Sequence, residues 1–286
     1  RRPMMPPNGN RYFDHEHVTV IEPPRGWRML DWRELWAYRE LLWVLTARDV
    51  KVRYKQTVLG AAWAILRPLT TMLIFSIVFG RLAKLPSDGY PYPIFVYAAL
   101  LPWTFFSAAI STSGQSLVAS APLVSKVYFP RLAISLSSIG ASLVDLLVSC
   151  LLLLLLMYWY QVGWSWNLLA APLLIAGVVF TALGIGTLLS ALTVAYRDFT
   201  HITPFLVQIW MYVTPVVFPV SMVPVHWQWL LYLNPMTGMV EGFRSVFLGR
   251  PFDFTGLFTS FGIALLILAV GVAYFERVER QFADVI

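Results

Sequence analysis

Six long apolar runs, at 59–80, 94–110, 133–160, 168–195, 202–217 and 256–275, constrain this chain more than any other feature. A bilayer core about 30 Å thick takes roughly 20 helical residues, so each run is a candidate span. The fifth is the weakest, being short and holding Pro204 and Pro215, which remove backbone donors and are tolerated where neighbouring helices repair the loss. Composition agrees: 58% of the residues are hydrophobic and 13% charged, where a soluble domain carries roughly 25% charge. The expected fold is an all-α polytopic membrane protein with six transmembrane helices.

Loop charge sets the expected orientation. With six spans, seventeen of the 21 Lys and Arg fall on the side of the termini, twelve of them up to Arg67, and only Arg81, Lys84, Arg244 and Arg250 fall opposite. Positive charge favours the cytoplasm, so both termini are expected there. The first fifty residues hold no short apolar core of the kind a cleavable signal peptide needs. A single cysteine, Cys150, excludes an intramolecular disulfide and reads as core packing rather than a reactive thiol. The net charge of +6 concentrates beside a span, which favours anionic lipid headgroups over nucleic acid.

Four regions follow along the chain: an arm over 1–30, an amphipathic interface helix over 31–58, the six-span domain over 59–277 and a tail over 278–286. The proline-rich arm has one candidate strand at "HVTVI". Its "DHEH", Asp14 to His17, has metal-ligand residue types but lacks the fuller spacing of a zinc site, and a polar tail is the preferred reading. Asp31 with Glu34 makes a capping-box-like helix start. At 100° per residue Trp36, Trp43, Ala47, Val50 and Tyr54 form one stripe, and Arg48, Lys51 and Lys55 another. An interfacial helix with rings at headgroup depth fits this pattern, and a helix packed on other protein is the alternative.

Two loops and one connection carry further signals. In "SAPLVSKVYFPRLAIS", residues 120–135, Pro122 and Pro130 bracket a short amphipathic turn whose apolar side needs a membrane or a partner groove to cover it. In "AYRDFTHI", residues 195–202, Arg197 and Asp198 mark the return to water, as a solvated turn or a contact. Residues 218–252 are too apolar for a loop and too broken by Pro219, Pro224, Pro235 and Gly249 for a span, so two short helices dipping back into the membrane are expected. On the second, Glu241 and Arg244 stand i,i+3 and are placed to pair.

Intramembrane charge and aromatic rings point to function less sharply. Asp145, inside the third run, has no basic partner nearby in sequence, which leaves a polar interior, a neighbouring helix or protonation open. Arg67 is near enough to the span's end to snorkel. Trp63, Trp103, Tyr158, Trp159, Tyr160, Trp164 and Trp166 sit at span ends and read as interfacial belts. Phe75, Phe79, Phe205, Trp210 and Tyr212 lie within spans, where rings contact lipid and neighbouring helices or stack on sugars in a wet path. Ala182, Gly186 and Ser190 recur every fourth residue, which suits close helix packing.

No G-x-x-x-x-G-K-[ST] loop, H-E-x-x-H or G-x-S-x-G occurs, so the chain offers no nucleotide-hydrolysis site of its own and is not expected to be an enzyme. Four stretches, "RELLWVLTARDVKVRYKQTVLGAAWAILRPL" (39–69), "LVSKVYFPRLAIS" (123–135), "AYRDFTHITPFLVQIWMYVTPVVFP" (195–219) and "LNPMTGMVEGFRSVFLG" (233–249), together resemble the membrane subunit of type 2 ABC exporters for polysaccharides. The resemblance is closest to O-antigen permeases, with teichoic acid permeases next, and covers residues from about 28 to 275.

The resemblance implies a homodimer in the bacterial inner membrane with two separate ATP-binding subunits, ATP and magnesium being bound by those subunits and no cofactor by this chain. It implies ATPase coupling through Leu123, Lys126, Tyr128, Phe129, Pro130 and Arg131, with Arg197 and Asp198 beside them. Arg48, Lys51, Arg53 and Lys55 would meet membrane lipid, the diphosphate of a lipid-linked polysaccharide or the ATP-binding subunit. Asn234, Pro235, Glu241 and Arg244 would shape an outer gate. A drug or small-lipid exporter of the same superfamily and a polytopic glycosyl- or acyltransferase are the competing classes.

Overall fold

The computed structural model describes residues 36–55, 60–124, 126 and 129–279. The arm with its candidate strand and "DHEH", the Asp31–Glu34 helix start, Tyr128 and the tail from residue 280 lie outside the described residues. Among the described residues helices joined by short connections make up the chain, with no strand.

Helix α1, Arg39–Lys55, precedes a helical turn at Gly60–Ala62 and helix α2, Trp63–Phe75. Helix α2 continues as a π-helical stretch, Ser76–Leu82. The widening falls where Ser76 Oγ donates to the Met72 carbonyl at 2.6 Å and where the Tyr92 ring lies against Gly80, so close that a Cβ there would stand 2.8 Å from it. Helix α3, Tyr92–Ala119, leads to the four-residue α4, Ala121–Val124, and then to α5, Leu132–Trp159. Helix α6, Ala171–Ala195, is entered through a turn at Trp166–Ala170, where Ser165 caps the Asn167 N–H at 3.2 Å. Helices α7, Phe199–Val213, α8, Val225–Tyr232, α9, Pro235–Leu248, and α10, Phe254–Glu279, complete the chain.

Five of these segments are long and apolar enough to cross a membrane: Trp63–Leu82, Tyr92–Ala119, Leu132–Trp159, Trp166–Ala195 and Phe254–Glu279. The chain is an integral membrane protein by this measure. The fifth expected run instead yields α7, of 15 residues. Pro215 explains its end: the residue before a proline is pushed out of the helical region, and Thr214 stands at φ −91°, ψ 134°. The two short helices expected in residues 218–252 form as α8 and α9.

Helix α3 is the centre of the bundle, buried along most of its length and in contact with α5, α6, α9, α2 and α7. Between apolar helices in lipid, close packing and hydroxyl contacts do the work that water exclusion does elsewhere. Helices α6 and α10 touch backbone to backbone: a Cβ on Gly271 would lie 2.1 Å from the Gly184 carbonyl oxygen. The expected small-residue row is likewise buried, with Gly186 against Ser113 and Ser190 accepting from Ser135 Oγ at 3.3 Å. Cys150 packs, partly buried, on the main core. Of the rings expected in interfacial belts, Trp63, Tyr158, Trp159, Trp164 and Trp166 are exposed, the last at 87%, and Tyr160 is half-buried; Trp103 is corrected, because it lies within α3 and is buried in the main core.

Candidate functional site

Side chains with chemistry gather at two ends of the bundle and along α1. One end, the loop end, carries residues 117–124, 126, 129–134, 191–198 and the close of α10. Here Val124 and Phe129 are buried with Leu117, Ala133, Val194 and Phe275 in a small core of their own. The expectation that this turn needs an outside surface is therefore corrected for those two residues: the ends of α3, α5, α6 and α10 supply the cover. Leu123 is half-buried, Pro122 and Lys126 are exposed, and Pro130 is half-buried. Arg131 is tied to α10, its backbone N–H donating to Glu279 Oε1 at 3.2 Å and its guanidinium to the Glu279 carbonyl. Arg197 and Asp198 are both exposed.

Helix α1 lies against the first half of α5 through Leu42, Leu45, Thr46, Asp49 and Arg53, a stripe at i, i+3, i+4, i+7 and i+11. Of the stripe expected at headgroup depth, Trp36 and Trp43 point away from the protein, at 72% and 75% exposure, while Tyr54 turns to α5. The four basic residues of α1 are also unlike one another. Arg53 reaches across to form an ion pair with Asp145, and Tyr54 donates its hydroxyl to the other oxygen of that carboxylate. Asp145 thus contacts a neighbouring helix, which decides among the possibilities left open for it. Burial, helped by the Asp145 hydrogen bond, raises the Tyr54 pKa to about 12, so the phenol stays a neutral donor. Arg48 pairs with Asp49 at 2.8 Å, while Lys51 and Lys55 are exposed beside Val44 and Val52.

The opposite end, the hairpin end, is built around α9. Asn234 caps it by accepting the Met236 N–H at 3.0 Å, Pro235 opens it, and Gly249 closes it at φ 70°, a left-handed position that a side chain would strain. The same Asn234 oxygen accepts from Trp210 Nε1 at 2.9 Å, and its amide donates to Thr214 Oγ1 at 2.9 Å. Asn234 therefore clamps the end of α7 to the start of α9.

Arg244, expected to pair with Glu241, does so at 2.7 Å, with its side chain wholly buried. It also donates to the carbonyls of Val216 at 2.7 Å, Phe218 at 3.3 Å and Phe95 at 3.5 Å, and its guanidinium carbon lies 3.7 Å from the centre of the Phe95 ring. These carbonyls belong partly to the broken backbone after α7, whose orphaned acceptors need a donor. Burial presses the Arg244 pKa down, and the Glu241 carboxylate opposes it. The other Glu241 oxygen meets Arg250 at 3.4 Å, and Arg250 meets Asp88 at 2.6 Å. Neither Arg250 nor Asp88 stood out in the sequence, because the charges that join them are 162 residues apart.

The five aromatic residues considered for a transport path are not brought together. Phe75 and Phe79 pack edge to face at 5.4 Å on α2; Trp210 turns inward, edge to face with Phe106 at 5.2 Å; Phe205 and Tyr212 lie exposed on α7, at 63% and 71%.

Comparison with known proteins decides what this arrangement is part of. The family model described as ABC-2 type transporter matches residues 40–248, from the first turn of α1 to the end of α9. The chain belongs to the ABC-2 type transporter family. As an ABC-2 permease, it resembles an O-antigen export system permease protein RfbA from Klebsiella pneumoniae, 25% identical over 251 residues, which covers 86% of this chain and 95% of the relative. An RfbA of the same description from Myxococcus xanthus is 28% identical over 255 residues, covering 88% and 97%. The polysialic acid transport protein KpsM of Escherichia coli is 24% identical over 246 residues, covering 82% and 92%. All three relatives match this ABC-2 permease along nearly their whole length.

Proposed function

We propose that this permease is the transmembrane subunit of an ATP-driven exporter that carries a lipid-linked polysaccharide, of the O-antigen type on a polyprenyl diphosphate, across the bacterial inner membrane. The observation that carries this reading is the similarity to O-antigen export permeases over 86–88% of the chain. Membership of an ABC transporter family supports an ATP-binding partner. In this reading two copies of the chain pair with two ATP-binding subunits, which hold the ATP and magnesium.

Six crossings complete the picture. Helix α7, about 22 Å long at 1.5 Å per residue, is continued by the chain that Arg244 organises, and α8 with α9 forms a hairpin that re-enters the outer leaflet. Both termini then lie in the cytoplasm, with the loop end facing the ATP-binding subunits. Exposed Lys126, Arg197 and Asp198 suit contact with that partner, while Phe129 and Arg131 hold the coupling turn on the bundle. Exposed Lys51 and Lys55, with Arg48, suit a headgroup or carrier diphosphate by charge-assisted hydrogen bonds. Arg53, being paired to Asp145, holds α1 in place instead. Asn234, Pro235, Glu241 and Arg244 frame the outer gate.

A second reading, export of an acidic polysaccharide of the polysialic acid kind, is favoured by the similarity to KpsM. One experiment tests the shared core of both. The chain, expressed with its chromosomal neighbours, should co-purify with a subunit bearing a phosphate-binding loop, and lipid-linked glycan should stimulate ATP hydrolysis by the pair in vesicles. Purification without such a subunit, or hydrolysis indifferent to glycolipid, would refute the proposal.

A further inference from the structure

Residues 83–91 join α2 to α3 at the hairpin end, and three of them take left-handed backbone, which only Lys84 enters at a cost. Lys84, Asp88 and Gly89 stand at φ 52°, 49° and 86°, the left-handed region that L residues other than Asn and Asp rarely enter. Such conformations persist only where surrounding contacts impose them. A turn closed by the Tyr90 N–H on the Ser87 carbonyl, at 3.1 Å, puts Asp88 and Gly89 at its tip. From there Asp88 reaches two separate parts of the hairpin: one oxygen accepts from Ser221 Oγ at 2.9 Å, the other from Arg250 at 2.6 Å.

The parts it reaches differ in firmness. Arg250 follows the closing glycine of α9, and the Asn167 amide grips that corner, donating to the Arg250 carbonyl at 2.8 Å and the Ser245 carbonyl at 3.0 Å. Behind it, Arg244 is wholly buried with Glu241 and three carbonyls, and breaking a pair of that kind is strongly unfavourable. The Asp88–Arg250 pair, about one-fifth exposed on both sides, is more open to water than the Arg244–Glu241 pair and is the easier of the two to break. The hairpin end therefore has a fixed part around Arg244 and a releasable contact at Asp88. Ser221 and Arg250 also line a cavity of about 240 Å³ with Gln228, Tyr232, Glu241 and Ser245, so both groups that Asp88 joins belong to its wall.

We propose that Asp88 is a latch: its carboxylate bridges Arg250 and Ser221, holds residues 83–91 against the hairpin at the wall of this cavity, and lets go when the outer end opens during transport. The inference rests on the orientation proposed above, with the hairpin end outside. Glu241 and Arg244 stay paired throughout, and the movement is confined to the 83–91 segment and the Ser221 turn.

Cysteine labelling tests this without depending on the identity of the cargo. Ser245, 5% exposed and lining the cavity, is replaced by Cys on a Cys150→Ser background in the complete export complex, and intact cells are treated with a membrane-impermeant maleimide. Labelling is expected to be slow with Asp88 present, about tenfold faster with Asp88→Ala or Asp88→Asn, and close to the parent rate with Asp88→Glu, which keeps the charge. Energising the complex with ATP should speed labelling of the parent and add nothing in Asp88→Ala. Equal rates in all four proteins, or no response of the parent to ATP, would overturn the latch. Labelling only from the cytoplasmic side of inverted vesicles would overturn the orientation instead, and thermal unfolding midpoints matched to within a few degrees would exclude a fold defect as the cause.

Discussion

Replacing Arg244 by Met is the most informative single change at the hairpin end. Methionine fills much of the same volume and keeps an apolar contact with the Phe95 ring, so the change isolates charge and hydrogen bonding from packing. What it removes is a wholly buried guanidinium bonded to Glu241 at 2.7 Å, to Val216 at 2.7 Å and to Phe218 at 3.3 Å. Each orphaned buried acceptor loses about 1–3 kcal/mol, and Glu241 keeps only its longer 3.4 Å contact with Arg250. These losses are not additive, and the expected total is about 3–5 kcal/mol, the usual cost of breaking a buried pair from one side. At a few degrees per kcal/mol, the midpoint of thermal unfolding in detergent should fall by on the order of 10 °C. Adding Glu241→Gln to Arg244→Met should recover part of that loss, because the uncompensated carboxylate is gone, leaving a coupling of about 0.5–3 kcal/mol between the two sites. A lone Arg244→Met protein melting within 2 °C of the parent would refute the view that this residue holds the broken backbone after α7.

Other outcomes follow from the same contacts. Gly271→Val places a side chain where a Cβ already meets the Gly184 oxygen at 2.1 Å, so α6 and α10 must separate and folded protein should be lost on size-exclusion chromatography, whereas Gly262→Ala, with open space around it, should behave as the parent. Phe129→Ala should cost about 3–5 kcal/mol as a large-to-small core change, while exposed Lys126→Ala should leave stability within about 0.5 kcal/mol and, under the proposed function, still weaken coupling between ATP hydrolysis and export. Tyr54 has its pKa raised from 10.0 to about 12, so its stabilising contribution is complete below pH 10 and disappears as pH rises through 12; the stability difference between the parent and Tyr54→Phe should be flat from pH 6 to 9 and shrink above pH 10.

The bundle was largely legible because lipid imposes one rule, long apolar helices, and five of the six runs obey it. The fifth run was readable only as a warning: Pro204 and Pro215 were visible and Pro215 sets the end of α7, but that the carbonyls after it find their donors on Arg244 of a distant helix was not. Glu241 with Arg244 was legible because an i,i+3 spacing on a helix is a local fact. Arg53 with Asp145 was not, since 92 residues separate them, although a carboxylate within an apolar run announces that some partner must exist. The turn between Pro122 and Pro130 misled for a related reason: a short amphipathic segment needs cover, and sequence does not say whether the cover comes from outside or, as for Phe129, from the chain's own helix ends.

The central claim, export of a lipid-linked polysaccharide, is tested most directly by the glycolipid that accumulates in cells lacking this permease. Inner membranes of the deletion strain should gather polyprenyl-diphosphate-linked polymer that an added glycosidase reaches only after the membrane is opened, and restoring the permease should clear it. A deletion strain with unchanged lipid-linked polymer, or with polymer already exposed on the outer face, would contradict the account.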